Sequence, residues 1–356
     1  MAKGYLCLET GEVFEGDWVG EKKEVTGEVI FNTSMTGFEE LLTDPSHKGQ
    51  ILTFTYPLIG NGGIYHKDQP IHAEAVVVGE LCASPSHYQT DVQIEEMLHQ
   101  SGVPALVNID TRSLAKTIRK HGIVTGQLTS NPSGVAISEE KPDSLAFVQD
   151  VTVERNKTYG NGLFHVVLVD FGYKKAIIDK LLEHNLRVTI VPFNTSFDTI
   201  KLLSPDGILI SNGPGNPAEM ASVLPMVRAV CQAYPVLGLG LGHQLIAQAF
   251  GAKIKKMRAG HRGGNYPVKN LENGKVYITA QNHGYEVLEK SLNKEELTVH
   301  YRNVNDRSVE GLKHVYLPIE TVQFQPEAQP GPQDTAYIFH SFYQQLEAKG
   351  DAYVKV

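Results

Sequence analysis

The sequence predicts two domains, a β-rich α+β domain followed by an α/β domain with a parallel-type central sheet and helices on both faces. Its 356 residues exceed the usual size of one hydrophobic core. Short strand-like runs dominate roughly the first 150 residues, and strands alternate with helices after residue 162. These changes of pattern predict domains over residues 1–155 and 163–356.

The composition restricts the class of protein. The apolar share of 41% and the charged share of 20% are those of a globular protein, and a net charge of -8 argues against nucleic acid as a partner. We find no apolar run near the ~18 residues of a membrane span and no signal-peptide core at the start. We therefore expect a soluble, cytoplasmic protein with neither a membrane nor a nucleic-acid partner.

The first domain contains several predicted strands, at residues 28–31, 50–54 and 75–78. Turn formers and small hydroxyl residues are dense over 32–61 and indicate a structured loop. A helix with an apolar stripe is predicted over 109–119, with Asp and Thr at its start as capping residues. This mixture is typical of an α+β domain rich in strands.

A connection between the domains is predicted over residues 131–162, where Pro, Ser, Gly and charged residues replace the periodic pattern. We expect the boundary itself at 155–162. Beyond it, strands at 166–169, 187–191 and 207–210 alternate with helices at 174–184 and 218–232. Continuous apolar strands separated by helices indicate a parallel sheet covered on both faces.

A strand, a tight turn and a helix are predicted over residues 235–251. The apolar run 235–239 leads into alternating glycines at 238, 240 and 242, and apolar residues then recur at helical spacing up to Gly251. Several hydrolase folds hold a nucleophile in such a turn. The residue at the apex here is Gly240, which has no side chain to react.

Other interpretations of this turn remain open. Gly240 could be an ordinary tight turn, since glycine adopts a positive φ without a steric penalty, or the site could use a substitute group. A dinucleotide fingerprint is disfavoured because His243 replaces the third glycine and the loop follows a later strand. We interpret His243 as a hydrogen-bonded structural residue. Cys231 lies a whole strand away, about 16 Å, and cannot replace the missing nucleophile.

Ordered motifs along the chain resemble those of a known family. Residues 32–61 resemble the amino-terminal motif of the small, glutamine-amidotransferase subunit of carbamoyl-phosphate synthase. Five later segments resemble successive motifs of its class I glutaminase domain: Ser211-Asn212-Gly213-Pro214-Gly215, Gly242-His243-Gln244, Gly263-Gly264-Asn265, Gln281-Asn282-His283-Gly284-Tyr285 and Pro326-Glu327-Ala328. The resemblance covers nearly the whole chain.

The resemblance implies a degenerate catalytic triad. The family's nucleophilic cysteine falls on Gly240, its histidine base on Gln325, and its orienting glutamate on Glu327. A glycine cannot form a thioester, and a glutamine side chain neither accepts nor returns a proton near neutral pH. Because two members of the triad are absent together, we interpret the change as a loss of glutamine hydrolysis rather than a single substitution made to trap substrate.

The glutamine-binding positions of the family are better preserved. By resemblance they fall on Ser46, Gly213, Gly215, Leu241, Gln244, Asn282, Gly284 and Tyr285. Backbone amides in glycine loops and one amide side chain suit a carboxylate and an ammonium group. We therefore expect glutamine to bind without turnover. No spacing of His, Cys and carboxylate residues indicates a metal site.

The family enzyme makes carbamoyl phosphate from bicarbonate, ATP and glutamine nitrogen for arginine or pyrimidine synthesis. The resemblance therefore implies a large-subunit partner in a heterodimer, or a higher oligomer of heterodimers. ATP and Mg are expected on the large subunit and no cofactor in this chain, which lacks a GxxxxGK[ST] phosphate loop. We expect a non-hydrolytic partner of the large subunit. The alternative is a glutaminase that remains active through an unrecognised group.

Overall fold

The computed structural model describes residues 2–66, 68–133, 135, 137 and 143–354. The chain forms two compact units. The first comprises Met1–Pro142 together with Met257–Gly263, and the second comprises Asp143–Lys256 together with Gly264–Val356.

The first unit is built around a sheet that closes on itself. Its strands are hydrogen-bonded in the order β1-β2-β8-β6-β4-β3-β9, and β9 pairs back onto β1. Strands β5 and β7 form a separate parallel pair. The elements are β1 (Lys3–Leu8), β2 (Val13–Gly20), β3 (Val25–Asn32), α1 (Phe38–Leu42), β4 (Gln50–Phe54), β5 (Leu58–Ile59), β6 (Ala75–Val77), β7 (Glu80–Leu81), α2 (Ile94–Gln100), β8 (Pro104–Val107), α3 (Thr111–His121) and β9 (Thr125–Thr129).

The helix predicted over 109–119 is α3, and its start follows from a capping contact. The Asp110 carboxylate accepts a hydrogen bond from the backbone N–H of Ser113 at 2.9 Å, which satisfies one of the free amides of the first turn. Leu114 and Ile118 lie one turn apart and are buried against the sheet core. The strands and this helix confirm the prediction of a β-rich α+β unit.

Residues from late in the sequence complete the first unit. The segment 257–263 belongs to it although the flanking residues belong to the second unit. The Thr33 hydroxyl donates to the backbone carbonyl of Arg262 at 3.1 Å, and the Arg262 guanidinium lies 3.9 Å from the Glu28 carboxylate. These contacts join β3 and the loop after it to residues more than two hundred positions further along the chain.

The second unit contains the alternating strands and helices. Its sheet has the order β10-β12-β11-β13-β14-β19-β18-β16-β15-β17, and β17 also pairs with β18. The elements are α4 (Ser144–Val151), β10 (Lys157–Tyr159), β11 (His165–Asp170), α5 (Lys175–Glu183), β12 (Arg187–Pro192), α6 (Phe197–Leu202), β13 (Gly207–Ile210), α7 (Leu224–Ala233), β14 (Val236–Leu239), α8 (Leu241–Ala249), β15 (Ile254–Asn270), β16 (Val276–Val287), β17 (Leu297–Asn303), β18 (Val309–His314), β19 (Ile319–Val322) and α9 (Tyr337–Val354).

The parallel strands β12, β11, β13, β14 and β19 are buried on both faces. Successive residues of β11 point to opposite sides, so Val167 and Val169 pack in one core with residues of α6, α7 and α8. Val166 and Leu168 pack in the other core with residues of α5 and α9. This arrangement confirms the predicted parallel-type sheet with helices on both faces.

The predicted connection over 131–162 is wrong for its second half. Helix α4 and strand β10 lie within it and belong to the second unit, while residues 134, 136 and 138–142 lie outside the described part of the chain. The Asp143 carboxylate accepts from the backbone N–H of Leu145 at 3.0 Å and starts α4. Val148 is then buried in the core. The cap, the buried Val148 and the hydrogen bond from the Ser144 hydroxyl to Glu219 at 2.6 Å together order this segment.

The helix predicted over 218–232 is shorter than expected. Two 3-10 turns, Pro217–Glu219 and Ala221–Val223, come first, and α7 begins at Leu224. Pro225 lies in the first turn of α7, where its missing N–H is tolerated. Within the described residues, we find no helix with the length and hydropathy to cross a lipid bilayer.

Candidate functional site

Four parallel strands of the second unit end at the same edge of the sheet. Neighbouring strands β11, β13, β14 and β19 run parallel, so the loops that leave their carboxyl ends lie side by side. Binding sites in such sheets form at this edge. The four loops carry, in chain order, Lys174, the glycine loop 213–215, Gly240, and Gln325 with Glu327.

The turn between β14 and α8 has the shape expected of a nucleophile elbow. Gly240 has φ 54° and ψ -108°, a conformation that strains any other residue. Its N–H donates to the Val322 carbonyl at 2.9 Å, which ties the turn to the end of β19. A Cβ at this position would lie 3.2 Å from Cβ of Asn212, a tight but small clash. The turn could therefore hold a short side chain, at the cost of backbone strain.

The glycines on either side of this turn serve helix packing. A Cβ at Gly242 would lie 2.2 Å from the carbonyl oxygen of Ile210, and a Cβ at Gly238 would lie 2.5 Å from Cδ1 of Ile246. The first turn of α8 thus packs directly on β13 and β14 because neither position has a side chain. This close packing accounts for the glycines on either side of the turn.

Gln325, at the predicted base position, is buried with 8% exposure. Its backbone N–H donates to the Ala280 carbonyl at 2.9 Å, so the segment after β19 forms a bridge to β16. Its carbonyl accepts from Ala328 N–H at 3.3 Å. The backbone of this segment is therefore held in place, and a neutral amide occupies the position expected for a base.

Glu327, at the predicted orienting position, forms a buried ion pair with Lys174. Lys174 Nζ lies 2.9 Å from Glu327 Oε1, and the two side chains are 6% and 2% exposed. The same ammonium donates to the backbone carbonyl of Gln329. Lys174 was not recognised from the sequence. The one available signal is its place in the loop directly after the carboxyl end of β11.

The turn that leads to Lys174 is organised by a buried carboxylate. Asp170 Oδ1 accepts from the backbone N–H groups of Gly172 and Tyr173 at 2.8 and 2.9 Å, and Oδ2 accepts from Val153 N–H at 2.8 Å. Burial raises the pKa of this carboxyl above its usual range, against the effect of these hydrogen bonds. Asp170 therefore fixes the backbone from which Lys174 reaches Glu327.

Gln244 joins α8 to the segment 282–285 of β16. Its Nε2 donates to the backbone carbonyl of Tyr285 at 3.1 Å and to Oε1 of Gln323 at 2.8 Å. Leu241, one turn earlier, is 4% exposed. Gln323 follows β19 directly and was also missed in the sequence, where nothing distinguishes it from the other glutamines nearby.

The other predicted glutamine-binding residues lie in three places, two in the second unit and one in the first. A Cβ at Gly213 would approach the Phe171 carbonyl to 2.2 Å, so the loop 213–215 packs closely on the loop after β11. Asn282 and Gly284 are half-buried in β16. Ser46 belongs to the first unit, where its N–H donates to Asp44 Oδ1 at 2.9 Å. Their binding of glutamine remains a prediction.

A buried polar network supports the same segment of β16. Gln281 Nε2 donates to Glu310 Oε2 at 3.0 Å, and Gln281 Oε1 lies 2.9 Å from His283 Nε2. His283 Nδ1 lies 2.8 Å from the Tyr285 carbonyl oxygen. The Tyr285 carbonyl therefore receives hydrogen bonds from two side chains, those of Gln244 and His283.

His243 is fully buried beneath the turn. Its Nδ1 lies 2.7 Å from the Thr321 hydroxyl, and burial lowers the pKa of the imidazole to about 3. The ring is therefore neutral at physiological pH. Its contact with β19 agrees with the structural role inferred from the sequence.

Burial also raises the pKa of the Cys231 thiol, to about 12, so this cysteine is an inert thiol in the core.

The second unit has the fold of a glutamine amidotransferase. The family model described as glutamine amidotransferase class-I matches residues 167–345, and the model described as carbamoyl-phosphate synthase small chain, CPSase domain, matches residues 6–128. The chain belongs to the family of carbamoyl phosphate synthase small chains.

Curated relatives agree along the whole length. The chain is similar to proteins named carbamoyl phosphate synthase arginine-specific small chain from three organisms. It is 46% identical to that of Halalkalibacterium halodurans, over 98% of this chain and 98% of the relative. It is 43% identical to that of Bacillus subtilis, over 96% of each chain, and 45% identical to that of Geobacillus stearothermophilus, over 96% of this chain and 97% of the relative.

Proposed function

We propose that this chain is the small subunit of a carbamoyl phosphate synthase that serves arginine synthesis, and that it binds glutamine without hydrolysing it. The observation that carries the proposal is Gly240, which has φ 54° at the apex of the turn and offers no atom that could attack an amide. Hydrolysis through a thioester needs a side-chain sulfur at this point. The names of the relatives support the arginine pathway.

Two neighbouring residues support the loss of hydrolysis. By resemblance to the family, Gln325 takes the position of the base, and its neutral amide cannot accept the proton that a thiol nucleophile must lose. Glu327, which would orient a histidine base, is engaged by the Lys174 ammonium instead. The carboxylate therefore has a structural partner in place of a catalytic one.

The large subunit is the partner that this proposal requires. It would carry ATP and Mg and would make carbamoyl phosphate from free ammonia. The small subunit would stabilise or activate it, in a heterodimer or a higher oligomer of heterodimers. In the small chain, the loop 213–215 and the contact between Gln244 and Tyr285 would hold glutamine.

In the test, the complex reconstituted from the two subunits receives nitrogen either as ammonium or as glutamine. With ammonium, bicarbonate and ATP we expect carbamoyl phosphate, and with glutamine in place of ammonium we expect none above background. The control is the variant Gly240→Ala, which adds a side chain without a nucleophile and should behave in the same way. Synthesis driven well by glutamine would show an active glutaminase with an unrecognised compensating group.

Glutamine binding is tested separately. Titration calorimetry of the small chain with millimolar glutamine should give a saturable heat without formation of glutamate. The absence of any heat would overturn the binding part of the proposal and leave the non-hydrolytic subunit role standing.

A further inference from the structure

The orientation of two side-chain amides near the turn is fixed by one backbone carbonyl. An amide nitrogen and an amide oxygen have similar shapes, so a glutamine can in principle face either way. The Tyr285 carbonyl can only accept, and Gln244 must therefore present Nε2 to it, at 3.1 Å. The same Nε2 faces Gln323 at 2.8 Å, so Gln323 must present its oxygen.

Gln323 is itself held rigidly. It is 2% exposed, and its backbone N–H donates to the Glu310 carbonyl at 2.8 Å. Its Nε2 is buried and has no hydrogen-bond partner within the described part of the chain. An unpaired buried donor is unfavourable, whereas the oxygen of the same amide accepts from Gln244 Nε2 at 2.8 Å.

We propose that Gln323 is a positioning residue of the glutamine site, which fixes the Gln244 amide so that its oxygen faces the ligand and selects an α-ammonium group. An amide nitrogen carries two hydrogens, and the Tyr285 carbonyl and Gln323 Oε1 engage both. The oxygen of Gln244 is then the polar atom left for a ligand, and it can accept from an ammonium but repels a carboxylate. The inference rests on the proposed binding of glutamine.

Loss of the Gln323 oxygen would free one hydrogen of Gln244 Nε2. The amide would then be held by the Tyr285 carbonyl alone, and with one hydrogen bond in place of two its oxygen would face the ligand for a smaller fraction of the time. The affinity for an ammonium group should fall as a result, while contacts to the carboxylate and the side-chain amide of the ligand should be unchanged.

The experiment compares two ligands in titration calorimetry of the full chain: glutamine, and glutaramate, which lacks the α-ammonium group. We expect the wild type to bind glutamine at least tenfold more tightly. Gln323→Met should weaken glutamine about tenfold and change glutaramate less than twofold, and Gln323→Glu, which keeps an acceptor, should restore most of the loss. The control Gln345→Met removes a glutamine on α9 with a buried Oε1 and should change neither ligand.

Several outcomes would overturn the proposal. They are equal losses for both ligands in Gln323→Met, and equal affinity of the wild type for glutamine and glutaramate. If circular dichroism shows that Gln323→Met does not fold, the glutamine affinity of Gln323→Glu decides, since a tenfold loss there contradicts the positioning role.

A second readout does not depend on the ligand. With ¹⁵N-labelled glutamine side chains, the Gln244 amide hydrogens should exchange slowly with solvent in the wild type and at least tenfold faster in Gln323→Met. If exchange is slow in the wild type and glutamine does not bind, Gln323 does position the Gln244 amide, but glutamine is not the ligand of the site. Equal exchange in both proteins would mean that the positioning itself is wrong.

Discussion

Lys174 Nζ lies 2.9 Å from Glu327 Oε1 in the core of the second unit, with both side chains almost inaccessible to water. The contact joins the loop after β11 to the loop after β19, two of the loops that form the candidate site. A buried pair of opposite charges is strongly held together, since neither charge can regain its water shell without local unfolding.

Removal of one partner of this pair should destabilise the fold. Lys174→Met or Glu327→Leu alone should lower the free energy of unfolding by about 3–5 kcal/mol, because each leaves an uncompensated charge in the core. The double variant should lose less than the sum of the two. Urea unfolding of the four proteins measures this coupling, and strictly additive losses would contradict it.

The neighbouring lysine provides the control. Lys175 pairs with Asp179 on the surface of α5, where the two side chains are 66% and 45% exposed. Lys175→Met should change the free energy of unfolding by no more than about 0.5 kcal/mol, as exposed pairs one helical turn apart usually do.

Restoration of the nucleophile alone should not restore hydrolysis. Gly240→Cys should lower the free energy of unfolding by about 1 kcal/mol, since a side chain is strained at φ 54° and meets Asn212, and it should release no glutamate from glutamine. Nucleophile and base act as a unit, so glutamate should appear only when Gly240→Cys is combined with Gln325→His. An enzyme-coupled assay measures the release of glutamate. Release by the Gly240→Cys variant alone would show that Gln325 does not limit hydrolysis.

Two glycines at opposite ends of α8, Gly242 and Gly251, should differ sharply in how much an added methyl group destabilises the fold. Gly242→Ala should cost about 3 kcal/mol of unfolding free energy, because its Cβ would be 2.2 Å from the backbone carbonyl of Ile210, which cannot move alone. Gly251→Ala, just past the other end of the helix, has open space around its Cβ and a φ of +87°, so its cost should be only about 1 kcal/mol. Similar losses in urea unfolding would contradict the close packing of α8 on the sheet.

The free energy of unfolding of the second unit should decrease at acidic pH because of the buried His243. Burial lowers the pKa of the folded imidazole to about 3 from 6.5, so between these values unfolding takes up a proton. The free energy of unfolding is therefore undiminished by this group above pH 6.5, and it decreases as the pH is lowered below that value. His243→Asn should reduce the slope of unfolding free energy against pH in this window by about 1.4 kcal/mol per pH unit.

The matched control for this measurement is the same substitution at His340, an exposed histidine on α9. Urea unfolding at a series of pH values gives the slope for each protein. A slope in His243→Asn equal to that of the wild type would show that the buried imidazole titrates normally in the folded state.

The sequence predicts the fold wherever the signal is local. The strand, turn and helix around Gly240 are confirmed as β14 and α8, because apolar periodicity and the glycines act within a few residues of each other. Helix α4 was missed because polar residues surround it, although its Asp143 cap is visible in the sequence. Its order depends on Val148, which is buried only when the distant strands are present.

The contacts of the candidate site depend on residues far apart in the sequence. Lys174 and Glu327 are separated by 153 positions, and Gln244 and Gln323 by 79. No spacing rule links such pairs, since they meet only after four strands have assembled side by side. The resemblance to the family assigns positions 240 and 325 to the nucleophile and the base, whereas Lys174 and Gln323, the partners of Glu327 and Gln244, are identified only in three dimensions.

The order in which the chain is synthesised has a consequence for the first unit. This unit includes residues 257–263, whose Arg262 contacts Thr33 and Glu28. During translation, the amino-terminal residues must therefore wait until more than two thirds of the chain has left the ribosome before their unit is complete. All strands of the closed sheet, β1 to β9, lie before residue 130 and can pair with one another earlier, so residues 257–263 add their contacts to a sheet that has already closed.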